Sequence, residues 1–141
     1  MFKDQYIRNK EKLLNDTKFN SKNIEVIKKF LEFEEYKLKR KEGLTEVDER
    51  SYKTLTHYLT RIRNLNKWFK NKAWVDLTEE DIKKFIDNFE DGVIKNKYGK
   101  RYEDRSGYYQ MIQGKFFSFT KNNHLARQIL EDFSIKGRDF N

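Results

Sequence analysis

Residues 51–92 read SYKTLTHYLTRIRNLNKWFKNKAWVDLTEEDIKKFIDNFEDG. Leu55, Tyr58, Leu59, Ile62, Leu65, Trp68 and Phe69 recur at intervals of three and four, the period at which one side of an α-helix turns inward. The spacing predicts a helix over about 46–71 with that stripe buried. The opposite side carries Lys53, His57, Thr60, Arg61, Asn64 and Lys67. Thr45 and Asp48 form a capping-box-like pair ahead of it, and Glu46 and Glu49 set negative charge against the helix dipole. Thr78 and Asp81 repeat that pattern around Glu79 and Glu80. The helix they start, about 79–91, buries Ile82, Phe85, Ile86 and Phe89 and stops near Gly92.

Upstream, Asn20 or Ser21 caps a helix over about 21–42 that ends at Gly43. Ile24, Ile27, Phe30, Leu31 and Leu38 face inward, with Phe33 and Tyr36 on the same side. Residues 1–19 read as an N-terminal extension with a short helix through Tyr6, Ile7, Lys10, Leu13 and Leu14. Downstream, Lys95, Asn96, Lys97, Tyr98, Gly99, Lys100, Arg101 and Tyr102 form a basic loop, read as a tight hairpin around Gly99. Asp104 caps a helix over about 105–121 with Tyr109, Ile112, Phe116 and Phe119 inward and Phe117 beside them. Gly107 and Gly114 weaken it by ~1 kcal/mol each against alanine. Asn123 starts a short fifth helix with Leu125, Ile129, Leu130 and Phe133, and a polar tail runs from Ser134 to Asn141. The fold class expected is all-α, a four- to five-helix orthogonal bundle. The organisation expected is an extension over 1–19, a helical bundle over 20–122, and a short helix with a linker over 123–141.

Composition narrows the function. The chain has 141 residues, enough for one domain and not comfortably two. Apolar residues make up 36%, and the aromatic share of 16% lets large rings build a small core. Proline is absent and there are six glycines, so few residues break a helix. With no cysteine there are no disulfides or thiolate metal sites. His57 and His124 are 67 positions apart, a poor basis for a histidine metal site or a Ser-His triad, so no cofactor, no metal and no enzymatic chemistry is expected. No run of apolar residues is long enough to span a membrane, and the N-terminus has no apolar signal-peptide segment. The expected location is the cytoplasm, and the nucleoid when DNA is bound.

The net charge is +8, and it is distributed in blocks. Residues 51–75 hold six bases and no acid, 76–91 hold seven acids and two bases, and 95–102 hold four bases and no acid. Residues 105–130 hold four more bases, again without an acid. Basic segments interleaved with aromatic and polar groups suit a polyanion, most simply nucleic acid. An acidic helix that docks a basic partner, in a protein–protein module without DNA binding, is the alternative. First-turn acids at a helix start are otherwise explained by capping.

The stretch from Thr54 to Phe119 resembles the core-binding domain of tyrosine recombinases, the phage-integrase and Xer class. The pattern is carried by Thr54, Tyr58, Ile62, Leu65 and Trp68, then by Asp76-Leu77-Thr78-Glu79-Glu80-Asp81-Ile82, then by Phe116, Phe117 and Phe119. Ile112 sits one place off the usual phase relative to the double Phe. The resemblance implies a four-helix, SAM-like bundle that docks on duplex DNA, while a separate C-terminal domain performs strand exchange. That catalytic constellation is not matched here, although His124 and Arg127 superficially spell His-x-x-Arg. The chain is therefore read as the N-terminal fragment of a recombinase or a free-standing relative. The implied partners are double-stranded DNA, the catalytic domain of the same recombinase and a DNA-dependent oligomer, with no membrane.

The residues expected to touch DNA are Lys53, Thr54, His57, Arg61, Lys97, Lys100, Arg101, Arg105, Tyr108 and Lys115. Lysine and arginine neutralise phosphates and release counterions. Arg101 and Arg105 are the expected base readers, because a guanidinium pairs bidentately with guanine.

Overall fold

Polar side chains start the helices, and apolar stripes hold them. The structure is a computed structural model that describes residues 1–41, 43, 47–115, 117, 120 and 123–132. Six α-helices lie among these residues: α1 (Phe2–Leu14), α2 (Ser21–Lys41), α3 (Glu49–Trp68), α4 (Glu79–Glu90), α5 (Ser106–Gln110) and α6 (Asn123–Asp132). A 3-10 turn covers Trp74–Asp76 and a π turn covers Met111–Lys115. The fold class is all-α. Among the described residues, extended pairing is confined to one antiparallel bridge, Lys95 with Arg101. No helix of the described residues is long and apolar enough to cross a membrane. The chain divides into two compact units, Met1–Lys67 and Trp68–Asn141.

In the first unit, α2 begins where Asn20 is its N-cap: the Asn20 Oδ1 accepts the Lys22 N–H at 3.0 Å. Ile24, Ile27, Phe30 and Leu31 are buried, and the Phe30 and Tyr58 rings meet edge to face at 5.6 Å. α3 buries Leu55, Tyr58, Leu59, Ile62 and Leu65 of the stripe that its spacing predicts, and Tyr52 besides. Asn23 Nδ2 donates to Asn66 Oδ1 at 3.0 Å, a buried amide pair that links α2 to α3. The short helix read within the N-terminal extension is α1, and it falls in this unit. Tyr6 and Leu13 of α1 are buried, and the Tyr6 and Tyr52 rings lie 5.5 Å apart. At the start of α1, Glu49 Oε1 accepts the Phe2 N–H at 2.7 Å and lies 3.2 Å from the chain's amino group. An acid at a helix N-terminus satisfies orphan N–H groups and meets the positive end of the dipole. That bond to the amino group, with the backbone bonds, holds the Glu49 carboxyl below its usual range.

One expectation in this unit is corrected. Phe33 and Tyr36 do not join the inward stripe of α2; they are 46% and 57% exposed. Glu34 takes the inward position instead, with Lys37 Nζ 2.8 Å from its Oε2. α3 starts at Glu49, and Thr45 of the expected Thr45–Asp48 cap, with Glu46, lies outside the described residues.

In the second unit, α4 follows its reading closely. Thr78 is the N-cap, its hydroxyl accepts the Asp81 N–H at 3.1 Å, and the Asp81 carboxylate accepts the Thr78 N–H at 3.0 Å. Such a box stabilises a helix by ~1 kcal/mol. Ile82, Phe85, Ile86 and Phe89 are buried. Lys70 and Asn71 both take left-handed backbone angles, φ 56° and 59°, and bend the chain out of α3. Phe69 then packs on Phe85 at 5.0 Å. Trp68 is only half-buried, not the full core residue expected, and its ring sits 5.3 Å from Phe89 and 5.0 Å from Tyr108.

The expected single helix over about 105–121 is also corrected. α5 runs for five residues and widens into the π turn at Met111–Lys115. A π turn takes in one more residue per turn than an α turn. Tyr109, Ile112 and Phe117 are buried, and so are Tyr108 and Met111. Arg127 Nη2 of α6 donates to the Gln113 carbonyl in the wide turn at 3.2 Å. α6, the short helix expected from Asn123, buries Ala126, Ile129 and Leu130 and falls in this unit. Phe116, Phe119, Phe133 and the tail from 134 onward lie outside the described residues.

Candidate nucleic-acid interface

The exposed residues expected to touch DNA fall in two places, one in each unit. The first is the outer side of α3. Because Leu55, Tyr58, Leu59 and Ile62 point inward, helical geometry turns Lys53, Thr54, His57, Thr60 and Lys67 outward, and all five are exposed. Arg61 on the same side is half-buried. Lys53 Nζ stands 5.9 Å from the Phe2 ring centre. No acid of the described residues pairs with Lys53, Arg61 or Lys67. Glu49, the acid nearest in sequence within α3, is held at the start of α1. Thr56 and Thr60 turn their hydroxyls onto the carbonyls of Tyr52 and Thr56, at 2.9 and 3.3 Å. The result is an acid-free helical side on which the lysines and arginine keep their charge available.

The second place is the loop after α4. Gly92 ends α4 with φ 77°, and the Ile94 N–H donates to the Asn88 carbonyl at 3.0 Å. The loop is the tight hairpin read from its glycine. The Asn96 N–H donates to the Lys100 carbonyl at 2.7 Å, and the Gly99 N–H donates to the Asn96 carbonyl at 3.0 Å. Asn96 Oδ1 accepts the N–H groups of Tyr98 and Lys100 at 2.9 and 3.0 Å. This single amide organises the turn, and Gly99 at φ 75° supplies its left-handed step. Lys97, Lys100 and Arg101 are exposed, and Tyr98 at the tip is 74% exposed. Lys97 Nζ lies 5.2 Å from the Tyr98 ring centre.

Arg105 and Tyr108 are corrected. Arg105 is 8% exposed. Its Nε donates to Glu90 Oε2 at 2.7 Å, and its Nη1 donates to the Tyr102 and Glu103 carbonyls at 2.6 and 3.3 Å. A guanidinium so occupied has no fork to offer a base edge, so Arg105 is withdrawn as a base reader. Tyr108 is buried among Trp68, Phe89 and Tyr102. Lys115 belongs to the π turn, and its side chain is outside the described part. Arg101 remains exposed. Its Nη2 meets Glu90 Oε1 at 3.5 Å, a single long contact that solvent and salt screen.

Two residues here went unread in the sequence. Glu90 is the hub of the second unit's polar cluster, accepting from Arg105, Arg101 and the Tyr109 hydroxyl. Burial, and then that bond to Glu90, push the Tyr109 phenol above its usual range. Tyr98 is the other; a tyrosine between two lysines beside the turn glycine was the signal for it.

A cleft of about 180 Å³ in the second unit is floored by Trp68, Phe69, Leu77, Phe85 and Ile94. On its rim Lys72 Nζ takes Asp81 at 2.7 Å. Among the described residues no three His, Asp or Glu side chains converge as a metal site would require. His57 and His124 are both exposed and lie in different units. No protein-family model, no curated protein and no solved structure matches this chain.

Proposed function

We propose that this chain is a duplex-DNA-binding module, the SAM-like core-binding part of a tyrosine-type site-specific recombinase, with strand exchange left to a separate catalytic domain. The observation that carries the reading is the outer side of α3, where Lys53, His57 and Lys67 are exposed and Arg61 is half-buried, with no acid among them. The basic hairpin supports it: Asn96 holds Lys97, Lys100 and Arg101 on a pinned turn. Both patches would capture phosphates. Arg101 keeps a guanidinium exposed enough to reach a base edge. The order of sequence motifs from Thr54 to Phe119 is what ties the proposed binding role to a recombinase rather than to DNA in general.

The test is fluorescence anisotropy of a labelled short duplex titrated with the protein over a range of salt concentrations. Binding is expected to weaken steeply as salt rises, because each phosphate neutralised contributes about 0.9 to the slope of log K against log salt. Salt-independent binding, or none at low salt, would overturn the reading. The protein–protein alternative rests on α4, whose Glu79, Glu80 and Asp87 are exposed. Charge reversal there, set against charge reversal on α3, separates the two.

A further inference from the structure

The cleft of the second unit has no part in duplex binding, yet it is built like a small ligand site. Every residue that lines it lies between Trp68 and Ile94, inside that one unit. Lys70 and Asn71 hold left-handed backbone angles beside it, a conformation that lysine takes rarely. Phe69, Leu77 and Phe85 are buried and Trp68 and Ile94 half-buried, so the floor is apolar with part of each ring or chain packed away. The Trp68 and Phe85 rings lie stacked at 6.0 Å, and Phe69 meets Phe85 at 5.0 Å.

Size and shape limit the occupant. The volume is about 180 Å³. A cavity of about 150 Å³ takes a benzene ring, whereas drug-sized ligands occupy clefts of about 300 Å³ or more. One ring with a short substituent therefore fits. Three aromatic side chains at the floor favour a fourth ring, set edge to face or offset against them.

Charge selects the substituent. Lys70 and Lys84 line the cleft and are exposed. Lys84 stands four residues from Glu80 and three from Asp87 on α4, but among the described residues neither it nor Lys70 pairs with an acid. The one acid in the lining, Asp81, is met by Lys72 Nζ at 2.7 Å and by the Thr78 N–H at 3.0 Å. The lining thus keeps two uncompensated ammonium groups, and Asn88 adds an amide donor. We propose that this cleft binds a small aromatic carboxylate, its ring on Trp68, Phe69 and Phe85 and its carboxylate met by Lys70 and Lys84. An anion in that position gains charge-assisted hydrogen bonds that a cation of the same shape is denied. The site does not depend on the DNA reading and stands or falls separately from it.

The experiment titrates the whole chain with phenylacetate at low salt and follows the backbone amides and the Trp68 indole N–H by NMR. Shifts are expected at Lys70, Leu77 and Ile94, with a Kd on the order of 1 mM, the range that about ten heavy atoms reach. Phenethylamine, with the same ring and the opposite charge, and acetate, with the charge and no ring, should each bind about fivefold more weakly or worse. Lys70→Gln with Lys84→Gln breaks no ion pair, so it should keep the parent urea midpoint and lose about fivefold in phenylacetate affinity. Ile94→Trp should fill the cleft and abolish the shifts; if that variant is unfolded, the lysine pair still decides. The proposal is overturned if phenylacetate shifts nothing in the cleft, if phenethylamine binds as well, or if the double glutamine variant binds as the parent does. Equal shifts with acetate would mean an adventitious ion only, and would also overturn it. A capped peptide of one phenylalanine between two aspartates is the last arm: affinity about tenfold above that of phenylacetate would assign the cleft to a protein segment instead of a small acid.

Discussion

Glu90 and Arg105 are joined at 2.7 Å across the hairpin that separates them in sequence, and both are largely withdrawn from solvent. The pair closes the base of the loop whose tip carries Lys97 and Lys100. It also fixes Tyr109, whose hydroxyl donates to the same carboxylate. Removing the guanidinium would take from Glu90 its best-buried cation, leaving it the Tyr109 hydroxyl and the long contact to Arg101, and would take a donor from the Tyr102 and Glu103 carbonyls. Breaking a buried pair by deleting one partner costs ~3–5 kcal/mol, and the residual exposure of this pair lowers that to about 2–3. Arg105→Ala is therefore expected to lower the urea midpoint markedly. Arg101→Ala, at an exposed side chain, should leave stability within about 0.5 kcal/mol. The two variants should separate in the opposite sense in DNA binding: Arg101→Ala weakens it, while correctly folded Arg105→Ala keeps the parent salt slope.

Gly92 and Gly99 offer a matched pair for the backbone. Both take left-handed angles, φ 77° and 75°. A Cβ on Gly99 would meet nothing within 4 Å, whereas one on Gly92 would lie 3.4 Å from the Arg101 Cβ. Alanine at either site bears the left-handed penalty of ~1–2 kcal/mol. Gly92→Ala should be the more damaging of the two, because Gly92 makes the left-handed step that ends α4 and its Cβ would have to fit against the Arg101 stem, whereas Gly99 faces open space. Thermal unfolding of both variants checks the order.

How much of this could be read from the chain depends on how local each cause is. α4 was legible to its ends, since its cap, its inward positions and its stop lie within fifteen residues of one another. The inner stripe of α3 was legible for the same reason, and so was the hairpin, where one glycine sits between lysines. Phe33 and Tyr36 were misread because hydrophobicity suggests which side is buried, and here the inward position went to Glu34 with its Lys37 partner. Arg105 stood in an acid-free window and looked like surface. Its partner Glu90 is fifteen residues upstream, on the far side of a turn, and no local pattern reports such a pairing. The π turn at Met111–Lys115 left no local signal, and the bond it receives comes from Arg127 of α6, fourteen residues downstream of Gln113.

Asp81 makes stability depend on pH. Its carboxyl is held below the usual aspartate range, first by the Lys72 ammonium and then by the Thr78 N–H. In the unfolded chain it returns to an ordinary value of about 3.9. A group whose folded pKa is depressed binds more protons unfolded than folded through this window, so its contribution is fully present above the unfolded value. It is lost as pH falls from there through the lower folded value. Asp81→Asn removes the charge and the pH-dependence together. The difference in urea midpoint between parent and variant should shrink as pH drops below about 4, and a difference that stays constant would show that Asp81 is not its source.

The two basic patches can be weighed separately by their salt slopes. Lys53→Gln with Arg61→Gln removes two cations from α3, and Lys97→Gln with Lys100→Gln removes two from the hairpin. None of the four pairs with an acid among the described residues, so neutralising them breaks no ion pair and should leave the fold intact. For each of these lysines or arginines that sits on a phosphate, the slope of log K against log salt should fall in magnitude by about 0.9. Each double variant is then expected to lose up to about 1.8 from the slope, and the quadruple variant to lose the sum. Anisotropy titrations of one labelled duplex across a range of salt concentrations give all four slopes. A patch whose variant lowers affinity but keeps the parent slope acts through uncharged contacts. A patch whose variant changes neither lies off the DNA, and the binding surface then belongs to the other unit.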